Sequence, residues 1–401
     1  MAEPINKFTL SNIKSKSVDV ILTNGWDRIA YNILLGLNKE NLNIAFGTDD
    51  YLGMGYFSKY VRTKFRHANY ISNEERFISD LKKVFEKFEP TVYIPTGEEV
   101  YTVSKYIKEF DGLDVKIPIS DYQTLDSLND KSQSFKIANS VSVPIPATII
   151  PLSQKDIEDF ALEYSYPVVL KNTKSNSSKG VFYITKENLA EVIKTQIEDQ
   201  GLNFNEFILQ QFVKGTGYGV SILMNRGNPR AVFTHKRLRE RIKSGGPSTL
   251  RISTENKELE QYAIAMLKKV NFNGVAMIEF KYDETNNKGW FIEANPRFWG
   301  SIGLAINSGV NFPFLLYKMA VDGDIEPVFD YKKGITAKWL IGDLNAVLKN
   351  SLKEKSFIRM KDIFYKADFY DDFIKKDPLP FFARIFLQFR RKVINIIKRA
   401  E

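Results

Sequence analysis

The chain has 401 residues, 43% of them hydrophobic and 26% charged, with a formal net charge of +9. Such a length exceeds one simple core and predicts two or three structural units of ordinary globular composition. There is no cysteine, which excludes disulfides and thiolate metal sites, and only two histidines, His67 and His235, which disfavours histidine-based zinc chemistry. The positive balance suits nucleotides, acidic substrates or an anionic membrane surface. Nucleic acid is not expected, because no nucleic-acid motif accompanies the charge. No uncharged apolar run reaches about 18 residues, so no transmembrane span is predicted. "MAEPINKFTL" lacks a basic region followed by an apolar stretch, so no secretory signal is expected and a cytoplasmic location is.

Residues 18–120 alternate strand-like and helix-like patterns. "VDVILTNG" (18–25) reads as a buried strand, and a helix follows through "RIAYNILLGLNKE". "LNIAFGTDD" (42–50) repeats the strand and polar turn, and "TVYIPTGEE" (91–99) does so after a charged helix at 73–89. This alternation predicts a parallel sheet covered on both faces, with Thr23–Gly25 and Thr96–Glu98 at strand ends where such sheets bind ligands. The same residues also serve simply as good turn formers. No glycine-rich fingerprint follows the first strand, which disfavours a nicotinamide dehydrogenase.

From about residue 125 a capped helix is predicted to run to about 140, and "VPIP" then enters a new unit. "YPVVLK" (166–171) is a short buried strand ending on Lys171. The polar segment "NTKSNSSKGV" (172–181), closed by Gly180, suits either a phosphate cover or a solvated hairpin tip. "EFILQQFVKGTGYGVSILM" (206–224) reads as strand, glycine-rich turn and strand. There the backbone of Gln211–Val213 offers an adenine edge and Phe212 a wall, unless the segment is only a hairpin in a small antiparallel sheet. "FTHKRLRERIKSGGPSTLRI" (233–252) places Lys236, Arg237, Arg239 and Arg241 before a Gly-Gly-Pro-Ser turn. Such a run is either a solvated basic face or, beside a metal–phosphate site, a cradle for polyphosphate or an acidic substrate.

Two strands follow, "GVAMIEFKYD" (274–283) and a second within "FIEANPRFWGS" (291–301), joined by the turn segment "ETNNKG" (284–289). Alternation puts Met277, Glu279 and Lys281 on one face of the first strand. It puts Phe291, Glu293 and Asn295 on one face of the second, with Ile292 and Ala294 opposite. Pairing Tyr282 with Trp290 sets Glu279 directly across from Glu293, a destabilising like-charge pair that a cation or a shared proton would relieve. The reading adopted is a divalent metal on Glu279, Glu293 and Asn295, with Arg297 free for phosphate. Few, all-oxygen ligands favour Mg²⁺ completed by phosphate oxygens, with Mn²⁺ as an alternative. In the tail "DPLPFFARIFLQFRRKVINIIKRAE" (377–401), Phe382, Ile385, Phe386, Phe389, Val393, Ile396 and Ile397 form one helical stripe. Arg384, Arg390, Arg391, Lys392, Lys398 and Arg399 accompany it. Such a basic helix suits peripheral membrane contact through 380–400, packing on its own domain, or a homodimer contact.

Together these segments resemble the ATP-grasp superfamily, and within it the carbamoyl-phosphate-synthase-like carboxylate–amine ligases. The resemblance is carried by "NDK" (129–131), "YPVVLK", the loop ending at Gly180, "LQQFVKG" (209–215), "HKRLRE…GGPS" (235–248), "MIEF" (277–280) and "FIEANPRFWGS". It spans about residues 18–320. It implies an α/β fold, α+β in the ATP-grasp part: a parallel pre-ATP-grasp domain (1–125), a two-lobed ATP-grasp domain with antiparallel sheets (126–320, small lobe about 145–213), and a helical C-terminal extension (321–401). It implies ATP and Mg²⁺ as cofactors. Lys131, Lys171, Ser178 and Gly180 would meet the phosphates, and Gln210, Gln211, Phe212 and Val213 the adenine. Glu279, Glu293 and Asn295 would bind the metal, with Arg297, Lys171 and Arg237 as the catalytic cations.

The loop "SNSSKG" lacks the paired glycines common in relatives, Gln210-Gln211 stands where Gln-Glu is frequent, and "GTGYGVS" lacks an acidic residue often found there. The implied reaction is ATP-dependent activation of a small-molecule carboxylate as an acyl phosphate, followed by attack of an amine. Alternatives are a bicarbonate-activating carboxylase or carbamoyl-phosphate-type enzyme, and a noncatalytic nucleotide-binding protein.

Overall fold

Val20–Leu22 (β1), Ile44–Thr48 (β2), Thr63–Arg66 (β3) and Val92–Ile94 (β4) form a parallel sheet in the order β3-β2-β1-β4. β1, β2 and β4 are buried along their whole length, as continuous apolar strands covered on both faces must be. Arg28–Asn38 (α1), Glu74–Phe88 (α2) and Glu99–Lys105 (α3) supply the cover; the Asp27 and Asn73 side chains cap the first two. The expected parallel sheet is thus present. β3, "TKFR", is an addition: it buries only Phe65 and is too short and charged to announce itself as a strand. The computed structural model describes residues 18–50, 53–173, 180–242, 245–354 and 364–400, and side-chain surroundings for all of these except 242, 245, 349–354 and 391–400.

The helix predicted up to about residue 140 is two helices, Tyr122–Asn129 (α4) and Lys131–Ser140 (α5). Asp130 breaks it with an extended backbone, and its carboxylate accepts the Gln133 N–H as the cap of α5. The break sets Lys131 in the first turn of a new helix. Thr148–Ile149 (β5), Val168–Asn172 (β6), Val181–Ile184 (β7) and Phe207–Gln211 (β8) make a small sheet in the order β5-β8-β6-β7. Its apolar face (Val168, Leu170, Phe207, Leu209) packs on Ile157, Phe160 and Ile193 of Gln154–Tyr164 (α6) and Leu189–Ile193 (α7).

The largest sheet has seven strands in the order β13-β12-β9-β10-β11-β14-β15. These are Thr216–Asn225 (β9), Asn228–Ile242 (β10), Gly245–Thr254 (β11), Gly274–Asp283 (β12), Lys288–Asn295 (β13), Thr336–Lys338 (β14) and Phe369–Tyr370 (β15). β8 and β9 lie in different sheets, so segment 212–215 crosses between lobes rather than closing a hairpin. The Gly-Gly-Pro-Ser stretch expected as a turn opens β11. Lys257–Lys269 (α8) packs with α4 and α5 against one face of this sheet, through Leu259, Met266, Leu125 and Phe135. Ile302–Ser308 (α9) and Phe312–Asp322 (α10) fill the space between the other face and α1, in a cluster holding Trp299, Phe312, Leu34 and Phe46. Leu340–Glu354 (α11) and Leu379–Ala400 (α12) complete the chain.

Candidate active site

The β12–β13 hairpin decides the site. Glu279 pairs directly with Glu293, as expected, but Tyr282 pairs with Gly289 rather than Trp290. A bulge between Glu279 and Phe280 absorbs Ile292 and restores the register. The extra residue also moves Phe291 off the face of Glu293 and Asn295, contrary to strict alternation. Phe291 instead joins Ala294 in the core, its ring 5.0 Å from Phe135 and 6.3 Å from Phe280. Asn295 lies between the carboxylates, its Nδ2 at 3.4 Å from Glu279 Oε1 and 3.3 Å from Glu293 Oε1.

Cations converge on this pair. Arg237 on β10 forms an ion pair with Glu279 and reaches Glu240 Oε1 at 3.2 Å and the Gly246 carbonyl at 3.3 Å. It can lie across the sheet because residue 217 is glycine: a Cβ there would stand 2.7 Å from Arg237 Cδ. At Gly219, which is opposite Glu279, a Cβ would strike the His235 ring at 2.3 Å. Burial pushes Glu279 up to about 7, helped by Glu293 and Glu240 and opposed by Arg237. Burial also works against the charge on Arg237, but Glu279 and Glu240 more than offset it and hold the guanidinium protonated. Lys171, at the end of β6, is drawn down to about 8 by burial; Glu293 opposes this and Lys131 adds to it. Lys131 is lowered by burial too, against the attraction of Glu293 and Asp130. His235 is held neutral by burial and by Arg237 and Arg251.

Two carboxylates and an amide set face to face, the Glu279 acid raised by burial despite its ion pair with Arg237, fit Mg²⁺ or Mn²⁺. Among the described residues no three His, Cys, Asp or Glu are grouped so as to hold a metal ion, so a site here would need Asn295 beside the two carboxylates.

Lys171 gives a pH signature. Its unfolded-state value near 10.5 lies above the folded one near 8, so the unfolded chain binds more protons between them. The group therefore adds stability as pH rises through that window and contributes none of that gain below about 8. If Lys171 meets ATP phosphates, as the resemblance implies, binding favours the charged amine and nucleotide affinity runs the opposite way. The Kd for ATP should be flat below about pH 8 and rise by up to tenfold per unit above it. Calorimetry across that range checks this, and Lys171→Arg should flatten the profile.

Arg297 follows β13 and pairs with Glu98 at 3.6 Å, while its NH1 donates to the Phe298 carbonyl at 3.0 Å. The carboxyl end of the parallel sheet therefore opens onto the hairpin. Of the residues expected to line that cleft, Glu98 does so. Thr23, Asn24 and Thr96 turn inward onto the fully buried Glu99, at 2.9 Å, 2.8 Å and 2.7 Å (the last through the Thr96 N–H). Of the four cations expected as a cradle, Arg237 faces the carboxylates. Arg239 binds Asp343 of α11 at 2.6 Å, Lys236 pairs with Glu284, and Arg241 is exposed.

Near the lobe crossing, Gln210 is buried, its Nε2 donating to Thr148 Oγ1 at 2.8 Å. The Gln211 N–H is taken by the Ala147 carbonyl at 2.9 Å, so it is not open to an adenine. Phe212 is 38% exposed, edge-on to Tyr183, and Val213 is half-buried. Gly180 has φ +82°, and its carbonyl accepts the Asn172 N–H at 2.9 Å. Ser178 lies outside the described residues. Glu240 was not anticipated: three residues after Arg237 on a regular strand it would point to the opposite face, and the register irregularities of β10 between these residues bring it back.

Residues 203–342 match the family described as ATP-grasp in the biosynthetic pathway with Ter operon. The chain is 23% identical to a urea amidolyase of Lachancea kluyveri over 189 residues, covering 44% of this chain but 10% of that protein. The chain thus spans about a tenth of that relative's length. N5-carboxyaminoimidazole synthetase from Staphylococcus aureus superposes with a TM-score of 0.63 at 16% identity, over 85% of this chain and 87% of that one. L-amino acid ligase from Bacillus licheniformis does so with a TM-score of 0.59 at 15% identity, over 78% and 76%. At these identities the structural likeness speaks for the fold. The family match thus falls on the segment that holds the Glu279–Glu293 pair, and the fold around it is like that of these two solved structures.

Proposed function

We propose that this protein is a ligase that uses ATP to activate a carboxylate as an acyl phosphate and joins it to an amine, releasing ADP and phosphate. The observation that carries the reading is the Glu279–Glu293 pair with Asn295 between the two carboxylates and Lys131, Lys171 and Arg237 around them. Burying two facing carboxylates costs stability, and a module that only held nucleotide would not need them.

Glu279, Glu293 and Asn295 would hold Mg²⁺, and Phe212 and Val213 would wall the adenine. A bound metal supplies charge neutralisation at the transferring phosphoryl group. Lys171 and Lys131, little solvated in their pocket, bind β- and γ-phosphate oxygens strongly because water does not compete there. Arg237 keeps Glu279 ionised and oriented. Arg297, on exchanging Glu98 for an anion, steadies the acyl phosphate while the amine attacks its carbonyl carbon and phosphate leaves. The N5-carboxyaminoimidazole synthetase likeness, whose name describes a carboxylated amine, favours a second reading in which bicarbonate is the acid.

A screen of ADP and phosphate release across acids and amines, with products read by mass spectrometry, tests both. ADP formed only when an organic acid and an amine are both present supports the ligase. ADP that requires bicarbonate supports the second reading, and absence of ADP under every condition would sink both.

A further inference from the structure

As far as Phe389, the apolar stripe of α12 does not pack on the protein. The helix docks through its opposite side: Ala383 and Leu387 are buried, and Arg384 donates to Asp27 Oδ1 at 3.1 Å beside Met54. Leu379, Phe382, Ile385, Phe386 and Phe389 are left 42–65% exposed. Leu344 and Leu348 of α11 also face outward. Between the two helices runs an open groove of about 480 Å³ lined by Ile341, Leu344, Phe381, Ile385 and Phe389. An apolar face of this extent on one helix is not ordinary surface scatter.

We propose that this face of α12, with the α11–α12 groove, docks onto an anionic lipid surface. The charge selects the occupant. Residues 378–400 contain no acid; Arg384 is buried on Asp27 and Arg390 pairs with Asp50, and four more cations, Arg391, Lys392, Lys398 and Arg399, follow them in the sequence. Exposed Lys375 and Lys376 precede them. A second copy on a two-fold axis would set this patch against itself and bring its cations together without acids to meet them. Acidic headgroups meet the cations while the phenylalanines enter the headgroup–acyl boundary. No helix among the described residues is long and apolar enough to cross a membrane, so the contact lies in the interface plane. None of the carboxylates or lysines assigned to nucleotide lies on α12, so this inference stands apart from the proposed reaction.

The test is flotation of the full chain with vesicles of phosphatidylcholine alone or with about one-third phosphatidylglycerol, in low salt. A triple variant, Phe382→Ser, Phe386→Ser and Phe389→Ser, is run beside it, with thermal melting as the control for folding. Binding to the acidic vesicles should exceed binding to the neutral ones by about tenfold or more, weaken in high salt, and fall at least about tenfold in the variant. The proposal is overturned if the parent chain stays at the bottom with acidic vesicles, or if an equally folded variant floats as well as the parent. It is overturned in favour of a second copy if the parent sediments as a dimer that the variant dissolves and neither binds vesicles.

Discussion

Replacing Glu293 by glutamine is expected to cut magnesium-dependent ADP formation by on the order of 10²–10³-fold and to leave the melting temperature equal to or above that of the parent. The substitution keeps volume and removes one of two facing carboxylates, so the charge that would attract a metal falls while the repulsion against Glu279 disappears. Asn295 keeps its contact with Glu279 at 3.4 Å, and Arg237 keeps its ion pair. Glu279, now near 7 partly because of Glu293, should titrate lower. Glu279→Gln is the poorer probe because it also removes one of the two carboxylates that pair with the buried Arg237. Near-normal turnover by Glu293→Gln, measured with the acid and amine found in the screen, would place the metal elsewhere.

The second large effect is on stability. Arg251 on β11 and Asp371 after β15 form an ion pair in which both side chains are fully buried, and Arg251 NH1 also donates to the Ser248 carbonyl at 3.2 Å. Asp371→Ala leaves the guanidinium buried without its counter-charge and should cost about 3–5 kcal/mol in denaturant unfolding. Replacing both partners, Arg251→Met with Asp371→Leu, should recover most of that loss, because no uncompensated charge remains. A loss below about 1 kcal/mol for Asp371→Ala would mean that water reaches the arginine.

The pairing at the centre of the candidate site was legible in the chain because it is local. Glu279 and Glu293 lie on consecutive strands joined by a short polar turn, and pairing Tyr282 with Trp290 set them opposite each other; the observed pairing is one residue shorter at the turn, and a bulge makes up the difference. The bulge at Ile292 was not legible: nothing in "WFIEAN" marks an extra residue, and only pairing with β12 fixes it. Lys131 stood out in "NDK", but the helix break at Asp130 that aims it is a capping event inside a run that reads as helical. The Arg297–Glu98 contact joins segments far apart in the chain, and no local pattern announces it. For α12 the spacing gave the stripe but not its orientation. That was decided by tertiary partners, Asp27 for Arg384 and Asp50 for Arg390, which hold the helix with its aromatics outward. β3 escaped notice because an edge strand that buries one residue has almost no periodic signal.

The metal assignment at the heart of this reading is tested most directly by anomalous diffraction from crystals grown with Mn²⁺ and a non-hydrolysable ATP analogue, which needs no knowledge of the acid or amine. A manganese peak bonded to carboxylate oxygens of both Glu279 and Glu293 and to Asn295, with Lys171 on the phosphates, is the expected result. Manganese held by the nucleotide phosphates alone, with Glu279 still closed on Arg237 and Lys171 away from the phosphates, would contradict it.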